Sequence, residues 1–170
     1  MLQFSVLGTQ MLPAIVLVLP IFIIFRAANL TDSHFGLILA YLSFNLPFLV
    51  WILMGFFEGV PPELEEAAAI DGLSPVGTFF RIVIPTATPG IMAAAVLSFI
   101  FAWNEFLFAL VLTGSETTTI PVRLAAMQTK QGILISQLSA GTILAISPMV
   151  IIAIFVRKYL ISGLTLGAVK

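Results

Sequence analysis

Four apolar runs, each long enough to cross a lipid bilayer, leave this chain few folds to choose from. A membrane helix needs about 20 mostly apolar residues to cover about 30 Å of hydrocarbon. Met1 to Phe25 is uncharged and ends at Arg26; Phe35 to Phe57 is uncharged and ends at Glu58. Ile82 to Ser115 holds a single charge, Glu105, and Gln131 to Val156 runs uncharged to Arg157-Lys158. Hydrocarbon offers backbone groups no partner, so such runs must bond internally, as helices do. The expected fold is an all-α membrane protein: one domain over 1–170, a polytopic bundle with about four transmembrane helices. The spans are expected near 2–26, 35–57, 88–112 and 138–158. Composition agrees, since only 9% of residues are charged and 60% are hydrophobic. A soluble domain carries about 25% charged residues.

Several function classes fall away. A net charge of -1 gives a nucleic-acid backbone nothing to hold. There is no cysteine and one histidine, His34, so neither a thiolate nor a paired-histidine metal site can be built. The chain has no Gly-x-x-x-x-Gly-Lys-Ser/Thr loop for ATP and no motif for another cofactor. Serine chemistry inside the bilayer would want a His or Lys within a span, and none is present, so an enzyme is not expected. No Lys or Arg precedes Arg26, which removes a signal-peptide n-region, and Met1 opens directly into apolar sequence, as in a fragment or a late start. Pro13, Pro20, Pro47 and Pro148 lie inside the runs, where membrane helices tolerate them as kinks.

The connections carry more information than the spans. The stretch 58–85 is acidic, with Glu58, Glu63, Glu65, Glu66 and Asp71 against Arg81. Pro61-Pro62, early acids and Gly72 describe a short capped helix. Ser74-Pro75 caps a second one, expected to run from Val76 until Pro85. Val122 to Leu138 is read as an amphipathic interfacial helix. Orientation stays open on charge alone. Arg81, Arg157, Lys158 and Lys170 fall on one side, and Arg26, Arg123 and Lys130 on the other.

Glu66-Ala67-Ala68, three residues, Gly72, nine residues, then Ile82-Val83-Ile84-Pro85 resembles the EAA loop of ABC importer permeases, usually written EAA-x3-G-x9-I-x-L-P. Ile84 stands where Leu is usual. Asp71, Arg81, Trp103-Asn104-Glu105-Phe106 and the tail Gly163 to Lys170 are similar to the carbohydrate-importing (maltose-type) branch. The likeness covers about Gln10 to Lys170. Members typically have six spans, and these four match the last four, so the resemblance implies a chain lacking the first two. It further implies a multi-pass protein of the cell (inner) membrane, surrounded by lipid, with the EAA loop, its short coupling helices and the C-terminus in the cytoplasm. The implied partners are a separate ABC ATPase, a second permease subunit (the same chain or a different one) and an extracytoplasmic solute-binding protein. The solute implied is a sugar or something like one. On this reading Glu66, Ala67, Ala68, Asp71 and Gly72 form the ATPase dock.

Glu105 is the one acid inside a span, which marks it and its neighbour Asn104 for a substrate pathway. A helix starting near Thr88 would carry Glu105 about 25 Å along its axis, so snorkelling into headgroups explains it equally well. Trp103 fits an interfacial belt, and Tyr41, Ser43 and Asn45 fit helix-to-helix hydrogen bonds. Two other classes stay open, an ion-coupled secondary transporter and a non-transporting accessory membrane subunit.

Overall fold

The computed structural model describes residues 13–129, 132–133 and 135–166, with side chains described over 13–127 and 135–156. The chain runs through α1 (Ala14–Ala27), α2 (His34–Glu58), α3 (Pro62–Ile70) and α4 (Pro75–Thr78). A π turn (Phe79–Val83) carries α4 into α5 (Ile84–Asn104), followed by α6 (Leu107–Leu112) and α7 (Ile120–Ala126). Strands β1 (Gln128–Thr129) and β2 (Gly132–Ile133) pair antiparallel, Gln128 opposite Ile133, and α8 (Ile135–Leu166) closes the described chain. Apart from that two-rung ladder the described residues form an all-α fold.

His34–Glu58, Pro75–Asn104 and Ile135–Val156 are long and apolar enough to cross a membrane. Helix α1 has 14 residues, and the start of the first expected span lies outside the described residues. Their outer faces are apolar: Phe35, Ile38 and Leu42 on α2 and Ile143, Leu144 and Phe155 on α8 are exposed. Such a surface suits lipid and not water.

Three sequence expectations are corrected. Pro85 does not stop the helix begun at Pro75. The π turn shifts the ladder, with the Ile84 amide donating to Phe79 O, so Pro85 falls in the first turn of α5, where a missing N–H costs little. The span expected over 88–112 is interrupted after Asn104, for reasons given below. Val122 to Leu138 is not one amphipathic helix: α7 ends at Ala126, a hairpin intervenes, and α8 starts at Ile135. The polar stretch from Gln128 to Gly132 lacks an apolar stripe and offers turn chemistry instead.

Packing divides into two clusters. Val18, Ala40, Phe108 and Leu112 are the buried centre where α1, α2 and α6 meet, with Phe44 stacked on Phe108 at 5.4 Å between ring centres. Val60, Val83 and Ala87 form the second centre, beneath the acidic connection. Helices α2 and α5 approach closely where Gly90 meets Phe56; a Cβ at Gly90 would lie 2.1 Å from the ring. Trp103 Nε1 donates to Ala145 O at 3.0 Å, fastening α5 to α8. That bond gives the indole N–H a partner on the neighbouring helix.

One carboxylate ties two distant connections together. Asp32, at φ 50, sits in the turn between α1 and α2. Its Oδ1 accepts from Gly114 N at 2.8 Å, Thr117 N at 3.1 Å and Thr117 Oγ1 at 2.8 Å, and its own N–H donates to Leu112 O at 2.7 Å. The 28–33 turn and the connection after α6 therefore lie at the same end of the bundle. These donors, the Thr117 hydroxyl foremost, hold the Asp32 carboxyl below the usual carboxylate range, against a smaller opposing effect of burial.

Two outcomes follow from this packing. Gly90→Val should lower the thermal midpoint, at a cost of about 1–3 kcal/mol for overpacking, and adding Phe56→Ala should recover part of it. For Asp32, a folded pKa below the unfolded one means its bonds are complete above the ordinary carboxylate pKa and lost as pH falls through the lower folded value. Spin labels at His34 and Ser115 should give a narrow distance distribution at neutral pH that persists through the ordinary carboxylate pKa, about 3.9, and broadens only below it. Asp32→Ala should be broad throughout.

Candidate functional site

The acidic connection is a rigid knuckle whose shape follows from its sequence. Val60 is buried at its root, Pro61 lies at φ -60 and ψ 128, and Pro62 opens α3 with its fixed φ suited to a first turn. Glu63 and Glu65 stand in that turn, against the positive end of the helix. At the other end the Leu73 amide donates to Ala68 O and the Gly72 amide to Ala69 O, both at 3.0 Å. Those two bonds, with Gly72 at φ 84, make a Schellman stop, and the small Ala68 side chain is buried beside it. Ser74 then caps α4, its Oγ accepting from Gly77 N at 3.2 Å. From there the π turn leads without interruption into α5. The knuckle is therefore joined end-on to a membrane helix.

The structure splits the residues read as a dock. Glu66, Ala67, Asp71 and Gly72 are exposed, while Ala68 is only 3% exposed and faces its own chain. Ala67 can admit a close partner; Ala68 lets α3 sit on the segment that follows. Glu63, Glu66, Ala67 and Ile70 recur at spacings of three and four and so share one open face. Ile70 was missed by sequence reasoning, yet it is 86% exposed in a connection otherwise acidic. Its signal was an isoleucine just before the helix stop, four residues after Glu66.

The second group lies along a groove of about 800 Å³ between α1, α2 and α5. Glu105, Ser43 and Asn45 are its polar lining, among Phe44, Phe48 and Phe101. Asn45 Oδ1 is buried with no hydrogen-bond partner, and Ser43 Oγ donates to Ala40 O at 2.6 Å. Asn104 does not line this groove: it is exposed, and its Nδ2 donates back to Ile100 O at 2.8 Å. Glu105 is half-buried, with ψ 130, outside the helix that sequence placed it on. Its two carboxylate oxygens accept from Phe108 N at 2.8 Å and Ala109 N at 2.9 Å. Among the described residues no group of three His, Cys, Asp or Glu could hold a metal ion. The tail motif from Gly163 to Lys170 lies outside the described side chains.

The chain as a whole is matched elsewhere. Residues 1–165 match the family model described as the binding-protein-dependent transport system inner membrane component. The chain belongs to this family. A putative ABC transporter permease of Streptomyces antibioticus is 41% identical over 97% of this chain and 72% of its own. The trehalose transport system permease SugB of Mycobacterium tuberculosis is 40% identical over 94% of this chain. The trehalose/maltose permease MalG of Thermococcus litoralis is 38% identical over 97% of it. The chain spans 60% of the length of each of the last two.

Gly72 offers a clean test of the knuckle. No atom lies within 4 Å of where its Cβ would be, so any cost of substitution is conformational and not steric. Gly72→Val should destabilise the turn by about 1–3 kcal/mol, and Gly72→Asn, which tolerates the left-handed region, by far less. Hydrogen exchange at the Leu73 amide is the measurement; equal protection in the two variants would contradict the assignment.

Proposed function

We propose that this chain acts as the transmembrane permease subunit of an ATP-driven ABC importer for a sugar or sugar-like solute. The observation that carries the reading is the open face of α3 on a knuckle that continues into a membrane helix. Glu66 and Ile70 offer a separate ATPase one charged and one apolar anchor on a helix too short and too well capped to bend. Force applied there reaches α5 through continuous helix instead of being absorbed in loose backbone. The chain has no nucleotide loop, so hydrolysis belongs to that ATPase, and this subunit is not itself an enzyme.

On this reading the knuckle and the C-terminus are cytoplasmic, in the cell (inner) membrane, and the 28–33 turn and the 113–119 connection face outward. The Asp32 bonds support the pairing of the latter two on one side. The remaining partners are a second permease subunit and an extracytoplasmic solute-binding protein. The solute would move past the groove that Glu105 lines; Asn104, at the end of α5, belongs to the same pathway only if its helix end turns toward it.

Recovery of the ATPase with purified full-length permease tests the dock. Glu66→Ala keeps helix propensity and removes a bond to a charged group worth about 1.5–3 kcal/mol, so affinity should fall about 10- to 100-fold. Ile70→Asp should weaken it by at least as much, having lost about 1.5–3 kcal/mol of apolar burial. Glu65→Ala, off the shared face, should be close to wild type. If Glu65→Ala and Glu66→Ala weakened assembly equally, the face would be misassigned.

A further inference from the structure

We infer that α5 and α6 are one helix held broken by two carboxylates, and that the break is a conformational switch. From Ile91 to Leu112 the sequence contains neither proline nor glycine, so the usual helix breakers are absent and only Asn104 locally favours an end there. Yet Glu105 turns to ψ 130, and Phe106 to φ -122, before α6 resumes.

What the broken form has, and a continuous helix would lack, is the Glu105 side chain on the next turn's donors. Its oxygens take the N–H groups of Phe108 and Ala109, both residues buried. Charge-assisted bonds of this kind are roughly twice as strong as neutral ones, and orphaned N–H groups here would face apolar surroundings. Asp32 holds the opposite end, binding Gly114 and Thr117 just past α6. A helix continued through Leu112 would extend the 30-residue run Pro75–Asn104 and pull Gly114 and Thr117 off Asp32.

Without the Glu105 carboxylate the ladder is free to close through Phe106 and Leu107. Because Glu105 also lines the groove, a donor-rich solute there competes for the same two oxygens, which links occupancy to the shape of the helix. That last link alone rests on the transport reading; the switch does not.

The test is residue-resolved hydrogen exchange on the full chain in lipid nanodiscs, with no partner or solute. In E105L the Phe106 and Leu107 amides should exchange at least tenfold more slowly than in wild type, while those of Gly114 and Thr117 exchange faster. Unchanged exchange at Phe106 and Leu107, or faster exchange there with the rest of α5 protected, would overturn the inference. Should E105L lose protection along all of α5, E105Q decides. It keeps one accepting oxygen, so it should slow the same two amides by a smaller factor, and no slowing would sink the switch.

Discussion

Hydrocarbon gives backbone N–H and C=O groups no partner, and the architecture follows from how this chain meets that demand. Long helices answer it over most of the length. The instructive places are those where the ladder is interrupted. Pro85 and Pro89 remove two donors near the start of α5, and within the same turns the Thr86 and Thr88 hydroxyls donate to Ile82 O and Ile84 O. The π turn absorbs the first proline by shifting the register. At the far end Glu105 and Asp32 supply acceptors to the N–H groups around α6. Around the break after Asn104, then, side chains supply the acceptors that the helix ladder does not.

Wherever the signal was local, the sequence was legible. The helical class, the cap at Ser74, the proline start of α3 and the glycine stop at Gly72 all depend on residues within a few positions of one another, and the structure forms them. The break at Glu105 was not legible, because the reading treated the acid as a side chain on a helix and not as a partner for that helix's own backbone. The Asp32 bonds were hidden for a different reason: they join residues about 80 positions apart, and neither loop's composition announces the other. Of the adjacent Asn104 and Glu105, helix geometry lets at most one face a cavity, and it is Glu105 that lines the groove.

The knuckle shows how local signals fix a short helix. A helix of nine residues would be marginal alone. Here two prolines, the acids at its positive end, the Schellman bonds and the burial of Ala68 and Val60 fix it from every side. Eight of its nine residues nevertheless stay exposed, Glu66, Ala67 and Ile70 among them. Of these, Ile70 is 86% exposed in a segment outside the candidate membrane spans.

Everything in this account turns on the knuckle lying on the side of the membrane where ATP is found. The native chain has no cysteine, so single cysteines report without background. Val76, 67% exposed beside the knuckle, and Ser115, exposed in the connection after α6, are suitable positions because neither side chain caps a helix. An impermeant thiol reagent applied to intact cells should label the cysteine at Ser115 and spare the one at Val76 until the membrane is opened. Labelling at Val76 with protection at Ser115 would contradict the orientation, and with it the knuckle's role as an ATPase dock.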